Sequence, residues 1–443
     1  MDALQYLPQV LFSVLFLAGI GLFGRNVLKV VRNIRLGKPE NRNDRKGERI
    51  RTMVLVALGQ SKMVTRPLAA VMHIFVYAGF IIINIELLEI VIDGVFGTHR
   101  VFAFMGGFYS FLIATFEVLA FLVILGCVVF LVRRNSGAVK RLLSTGDLKG
   151  WPARDANMIL VTEILLMCAF LSMNAADALL QQRGEAHYIT AGSFPVSQLL
   201  HPLLNGLGND VLIGIERFGW WFHILGILCF MNYLPYSKHW HIIMAFPNTY
   251  FSKLEPKGEF SNLESVTKEV KLMLDPSADP FAAADPDAPL PSFGAKDVTD
   301  LTWKQLMDAY TCTECGRCTS ECPANTTGKL LSPRKIMMDT RDRLTEVGNN
   351  IDKHGKDHKD GKTLVHDYIT PEELWACTTC NACAQACPVN IDPVSIIIDL
   401  RRSLVMEESA APGSLNAMFS NIENNAAPWQ FSQADRLNWA QEN

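Results

Sequence analysis

The chain has 443 residues, long enough for two or three domains, and 49% of them are hydrophobic, which excludes a charged, disordered chain. Eight of its eleven cysteines fall in two tight groups, the usage of a metal ligand set and not of a secreted disulfide framework. The net charge of -3 argues by itself neither for nor against a nucleic-acid partner, and none is expected.

Five apolar stretches are long enough to cross a bilayer, which takes about 20 residues of helix. They run over 6–24, 67–92, 108–132, 157–181 and 212–236. The first 24 residues hold no Lys or Arg, so the basic start of a cleavable signal is absent and the first run is expected to stay as a membrane helix. Basic residues in the short loops set the orientation. Residues 25–66 hold twelve Lys and Arg and 133–154 hold six, whereas 94–107 and 182–211 hold one each, Arg100 and Arg183. The N-terminus is therefore expected outside, and the chain emerges on the cytoplasmic side at Ser237-Lys238 of a bacterial or archaeal inner membrane. Residues 1–241 form the membrane domain on this reading.

Residues 242–300 change texture and read as a connecting segment, with a helix at 263–274 and an Asp/Pro/Ala-rich linker at 275–293. A soluble helical domain follows over 301–408. Helices are expected leading into the first cysteine run, over 333–347 and over 393–408. A charged loop at 348–366 holds His354, His358 and His366. The tail, 409–443, has Pro428, Trp429, Arg436 and Trp439 as a candidate docking surface. The fold class is thus all-α: a five-helix transmembrane bundle followed by a cytoplasmic helical domain.

The two cysteine runs share one pattern. The first is Cys312-Thr-Glu-Cys315-Gly-Arg-Cys318-Thr-Ser-Glu-Cys322-Pro323, and the second is Cys377-Thr-Thr-Cys380-Asn-Ala-Cys383-Ala-Gln-Ala-Cys387-Pro388. Three closely spaced thiolates wrap one face of an iron–sulfur cubane, and the fourth cysteine ligates the other cluster. Cys312, Cys315, Cys318 and Cys387 are assigned to one [4Fe–4S] cluster, and Cys377, Cys380, Cys383 and Cys322 to the second. Structural zinc would use paired Cys-x-x-Cys motifs without a fourth cysteine backed by proline. Fifty-four residues separate Cys322 from Cys377. With its Ser332-Pro333-Arg334 and Pro371-Glu372-Glu373 helix starts, the region 300–405 resembles the helical two-cluster ferredoxin module of succinate dehydrogenase iron–sulfur subunits and heterodisulfide reductase subunits.

Histidine inside a membrane helix is costly and is usually functional. His73 lies in the second span and His223 in the fifth, with His239 and His241 just past its end. Two histidines on different helices at similar depth make an axial pair for b haem. The run from His223-Ile-Leu-Gly226 to Pro235-Tyr-Ser237-Lys238-His239-Trp-His241 is similar to the fifth helix of the nitrate reductase gamma subunit, a five-helix, two-haem protein. That resemblance implies a haem between His73 and His241 and gives His223 to an outer haem. Its second ligand is missing, because Ile83 stands where the family has histidine, so one b haem is expected ahead of two. His223 is alternatively a quinone contact. His99, His187 and His201 read as loop residues. Glu86 and Glu117, inside the spans, are candidate proton relays for quinone chemistry; Glu89, Glu163 and Asp177 are further carboxylates there. Cys127, Cys168 and Cys229 read as packing residues.

No Gly-x-Gly-x-x-Gly or P-loop is present. The whole architecture is similar to membrane-bound heterodisulfide-reductase-like iron–sulfur oxidoreductases, some of which link electron-transfer flavoprotein to menaquinone. The Cys-Cys-Gly domain of that class is not found after Cys387, and a separate Cys-Cys-Gly protein or the flavoprotein is the expected partner. The function expected is an electron-transfer subunit of a quinone-linked oxidoreductase, with menaquinone or another quinone in the bilayer. The alternative is a haem-free iron–sulfur anchor or redox sensor for a partner protein.

Overall fold

The computed structural model describes residues 6–143, 146–277 and 292–441, so most of the linker expected at 275–293 lies outside the described residues. Five long apolar helices dominate the first half: α1 (Leu7–Ile34), then the short α2 (Lys46–Met53), α3 (Pro67–Phe96), α4 (Gly107–Asn135), α5 (Trp151–Gln182), the one-turn α6 (His201–Leu204) and α7 (Asn209–Tyr233). Each of the five expected spans is one of these helices, long and apolar enough to cross a membrane. Proline opens α1, α3 and α5 within the first turn, where its missing N–H leaves no bond unmade. α3 stops at Gly97, whose φ of +70° is the left-handed cap that glycine adopts without strain.

The five long helices close a ring in the order α1, α3, α4, α5, α7 and back to α1. Small residues let the backbones approach. A Cβ on Gly219 of α7 would lie 3.2 Å from the Ala169 carbonyl of α5, and one on Gly126 of α4 3.0 Å from the Met72 carbonyl of α3. Phe116, Phe170, Ile113 and Ile224 fill the middle of the ring.

One end of the bundle carries the basic loops, and the rest of the chain is built on it. α8 (His241–Tyr250), within the connecting segment, packs on α2 and on α10 (Trp303–Thr311). The amphipathic α9 (Glu264–Leu274) matches the expected helix at 263–274. Short helices α11 (Arg317–Ser320) and α12 (Pro323–Thr326) follow the first cysteine loop, ahead of α13 (Pro333–His354) and α14 (Leu364–Asp367). Then come α15 (Pro371–Trp375), α16 (Ala382–Ala386), α17 (Pro393–Met406) and α18 (Gly413–Asn425). Among the described residues there is no strand, only isolated bridges at Lys38–Thr302 and Val365–Ile369.

Val30 and Ile34 of α1, Leu234, Trp240 and Met244 share one apolar core with Leu301, Leu306, Ile336 and Leu400. The membrane bundle and the cysteine-bearing helices thus bury side chains against each other. The loop expected at 348–366 is helical over its first seven residues, because α13 runs on to His354 and stops at Gly355, φ +92°. Gly348 does not end it; the helix passes there against Asn33 of α1, which a larger side chain would displace.

Candidate functional site

The two cysteine loops are built by the same backbone device. In the first, Glu314 and Gly316 take positive φ on either side of Cys315; in the second, Thr379 and Asn381 do so on either side of Cys380. The left-handed turns reverse the chain tightly around the middle cysteine of each loop. Of these four residues only Gly316 is glycine, so the other three positions carry strain, which native chains keep mainly at functional sites. α11 and α16 then pack side by side, which brings the two runs together.

Cys315, Cys312 and Cys387, and last Cys383, are electrostatic neighbours of Cys318, and Cys377 and Cys322 are neighbours of Cys383. Each neighbourhood therefore mixes thiols of one run with the fourth thiol of the other. Among the described residues, no three His, Cys, Asp or Glu side chains converge on a single-ion site. Burial pushes the Cys312 thiol up to about 12 and the Cys387 thiol up to about 11. Backbone N–H groups point at four of the sulfurs: Thr379 to Cys377 at 3.4 Å, Ile391 to Cys387 at 3.3 Å, Glu314 to Cys312 and Ala384 to Cys383. Cys380 is the one exposed thiol of the eight.

The first loop is ringed by cations. Lys62 Nζ donates to the Cys387 carbonyl (3.1 Å), and Arg141 Nε donates to the Cys315 carbonyl (3.1 Å). Arg317 donates to the Lys62 carbonyl at 2.9 Å and lies within electrostatic reach of Cys315 and Cys387. None of the three pairs with a carboxylate among the described residues, although each is half-buried or more. Three partly desolvated cations around four thiols suit a group of net negative charge, which a thiolate-held [4Fe–4S] cluster is. The residues present fit such a group.

Arg317 is also within electrostatic reach of His73. The His73 and His241 rings stand 6.5 Å apart between centroids, at 44° to one another, and His239 lies 5.7 Å from His241. Two imidazoles across a metal with bonds of about 2 Å place their ring centres about 6 Å apart. His73 Nδ1 bonds Gln60 Oε1 (2.9 Å) and His241 Nδ1 bonds the Lys238 carbonyl (3.0 Å), which leaves both Nε2 atoms free. That is the arrangement in which ligating imidazoles are held. Burial lowers His241 and pushes His239 down to about 3, so both rings are neutral at neutral pH. The pair fits an axial ligand set for haem. Gln60 was not legible beforehand; its φ of +48° is the one unusual feature of its turn, and no sequence pattern announces it.

His223 is not brought near that pair. Its Nδ1 bonds the Leu166 carbonyl (3.1 Å) and its ring meets Phe170 at 5.9 Å, while Ile83 sits in the same core. Glu117 is fully engaged: it accepts from Val196 N (2.9 Å), Ser197 N (3.0 Å), Ser197 Oγ and Asn174 Nδ2 (3.3 Å). Glu86 differs, with Oε2 buried and without a partner. It lines a cavity of about 240 Å³ at the end of the bundle away from the cysteines. Arg100, Asp177, His99 and His187 line it too, so two histidines read as loop residues belong to a polar site. Arg100 is buried and bonds Asp177 Oδ2 (2.5 Å), Tyr109 Oη (3.1 Å) and Asn174 Oδ1 (3.0 Å).

Residues 311–391 match the family model of the 4Fe-4S dicluster domain, which covers both cysteine runs. The chain is 28% identical over 98% of its length to the "Probable iron-sulfur-binding oxidoreductase FadF" of Bacillus subtilis, of which the match covers 61%. It is 26% identical over 91% of its length to the "EtfAB:quinone oxidoreductase" of Syntrophomonas wolfei, covering 55% of that protein. A third relative, one of the subunits of the dihydromethanophenazine:CoB–CoM heterodisulfide reductase of Methanosarcina mazei, is 31% identical over 32% of this chain and 35% of its own. The chain thus spans little more than half the length of the first two. No solved structure matches it. The relatives are iron–sulfur oxidoreductases and heterodisulfide reductase subunits, and this chain joins a 4Fe-4S dicluster region to five helices long and apolar enough to cross a membrane.

Proposed function

We propose that this chain relays electrons between a soluble redox partner and the quinone pool through two [4Fe–4S] clusters and one b haem. Cys312, Cys315, Cys318 and Cys387 hold the first cluster, and Cys377, Cys380, Cys383 and Cys322 the second. His73 and His241 hold the haem. The observation that carries the reading is the facing pair of imidazoles next to the first cysteine loop, with Arg317 in reach of both. The exposed Cys380 is the side open to a partner, either a separate Cys-Cys-Gly protein or an electron-transfer flavoprotein. Trp429 and Trp439 of the tail are exposed and are assigned to its docking. The basic end of the bundle faces the cytoplasm, and the quinone lies in the bilayer. His223 is a quinone contact on this reading, and Glu86 the proton relay.

The chain's own residues do the positioning. The left-handed turns hold the thiols, Gln60 and the Lys238 carbonyl hold the imidazoles oriented, and the shared apolar core keeps the hops short. The bound groups supply the electron-accepting chemistry. The test is an optical spectrum of the protein purified anaerobically from its membrane, with and without a menaquinol analogue. The expected result is a b-haem α-band that appears with quinol and is lost in His73→Ala. Absence of that band, or its survival in His73→Ala, overturns the haem assignment and leaves the haem-free anchor or sensor.

A further inference from the structure

The two cysteine centres sit in unequal electrostatic surroundings. Lys62, Arg141, Arg317, Arg334 and Arg341 are electrostatic neighbours of Cys312, Cys315, Cys318 or Cys387. The one carboxylate among them, Glu314, is already paired with Lys238 and Arg341. At the other centre, among the described residues, Arg401 stands beside Cys377 and bonds its carbonyl, and the Asp392 carboxylate stands beside Cys383. Arg334 is paired to Asp147, which leaves Lys62, Arg141 and Arg317 as the uncompensated charges. Two of these three come from the loops of the membrane bundle and bond the carbonyls of ligand cysteines.

Reduction adds one negative charge to a cluster, so nearby cations favour the reduced state and burial opposes it. Burial differs little between the two sets, since each has two or more thiols below a tenth exposed and only Cys380 is open. Arg401 has no carboxylate partner among the described residues either, so the two sets differ by two uncompensated cations, and by three in net charge once Asp392 is counted. The charge difference therefore decides the sign.

We infer that Lys62 and Arg141 raise the midpoint potential of the Cys312–Cys315–Cys318–Cys387 centre above that of its neighbour, and so direct electrons toward the membrane. One electron leaves the centre at Cys377, Cys380, Cys383 and Cys322, which is oxidised, and enters the membrane-side centre, which is reduced; no proton moves. Docking on the bundle loops is what supplies the polarity. The inference rests on the ligand sets proposed above, and it does not need the haem.

The test is a potentiometric titration of the full chain, purified anaerobically and followed by electron paramagnetic resonance. Iron and sulfide per chain are measured in every variant. Two one-electron waves are expected. In Lys62→Gln and Arg141→Gln the higher wave moves down and the lower one stays, whereas Arg401→Gln moves only the lower wave down. Lys62→Arg and Arg141→Lys keep both midpoints. The inference is overturned if the glutamine variants leave both waves in place, if Arg401→Gln moves the higher wave, or if the charge-keeping variants shift as far as the glutamine ones. A split of this kind in a protein with no haem band would sink the relay reading and leave this inference standing.

Discussion

The Lys238 ammonium is paired with the Glu314 carboxylate across the seam between the last membrane helix and the first cysteine loop. Both side chains are below a tenth exposed. The second oxygen of Glu314 takes Arg341 Nη1 at 2.7 Å, and Lys238 also donates to the Pro152 carbonyl at 2.6 Å. The ion pair thus ties α5 and the turn after α7, through Lys238, to the cysteine loop and α13, through Glu314. Removing one member of a buried pair strands the other charge, at a cost of about 3–5 kcal/mol. Glu314→Gln is expected to lower stability by about that much, in chemical denaturation of the detergent-solubilised protein. Lys238→Met in the same chain should restore part of the loss. A cycle in which the two changes simply add would rule out the pairing as the source.

The imidazole pair makes a second expectation. Gln60 Oε1 accepts from His73 Nδ1–H and so fixes which ring nitrogen is free. Removing such a partner typically weakens metal binding about 10–100-fold. Gln60→Leu should keep the fold and bind haem more weakly by a factor in that range, read by titrating haem into the apoprotein. Unchanged affinity would mean that Gln60 only caps its turn.

The parts of this architecture that were legible in the sequence are those encoded locally. A run of twenty apolar residues is a span wherever it lies, and Cys312 to Pro323 states its own chemistry through spacing. Lys62, Arg141 and Arg317 were invisible because each bonds a partner far away in the chain; Lys62 and Cys387 are 325 positions apart. Gln60 is 13 positions from His73, but only the left-handed turn it sits in brings the two together. The overrun of α13 was missed for a related reason. Gly348 looks like a stop, yet it is there for close contact with Asn33 of α1. His99 and His187 looked like loop residues, since nothing in their spacing marks the cavity that they share with Glu86.

Glu86 and Glu117 carry the same side chain in similar membrane surroundings but should respond in opposite ways. Glu117 holds the 196–197 backbone and Asn174 through four hydrogen bonds. Glu117→Ala leaves those donors unmet, and a buried unsatisfied group costs about 1–3 kcal/mol apiece. A clear drop in melting temperature is expected. Glu86→Gln removes a carboxylate whose Oε2 has no partner, so stability should be unchanged or slightly higher. If Glu86 accepts the proton on quinol oxidation, the same variant slows quinol-dependent reduction while Glu117→Gln does not. Equal effects on turnover from both would remove the special role of Glu86.

Asp339 gives the cysteine-bearing region a pH dependence. Burial, against the pull of the Lys335 ammonium 2.7 Å away, raises its carboxyl to about 6. The folded state therefore holds a proton that the unfolded chain, with an ordinary value of 3.8, releases earlier. Stability then falls as pH rises between those two values and is level above them. The full drop is roughly 3 kcal/mol at 1.36 kcal/mol per unit. Asp339→Asn should flatten the stability profile between about pH 4 and 6. A wild-type profile that rises over that window would contradict the assignment.

A close backbone joint between the membrane bundle and the cysteine helices is at Gly37, just past the end of α1. There Lys38 N donates to the Leu301 carbonyl at 2.7 Å, and Trp303 N donates to the Lys38 carbonyl at 3.1 Å. A Cβ on Gly37 would meet Trp303 N at 2.6 Å and Thr302 C at 2.8 Å. These are backbone atoms held by the α10 capping box of Thr302 and Gln305, and they have no rotamer to move. Forcing a methyl group into such a contact costs about 1–3 kcal/mol or breaks the joint. The Lys38–Thr302 bridge is what sets α10, and with it Cys312, over the end of α1. Gly37→Ala should therefore lower stability and loosen the first cysteine loop together, measured as denaturation midpoint and as iron retained per chain after gel filtration. Gly47→Ala, where a Cβ meets open space, is the control that should change neither.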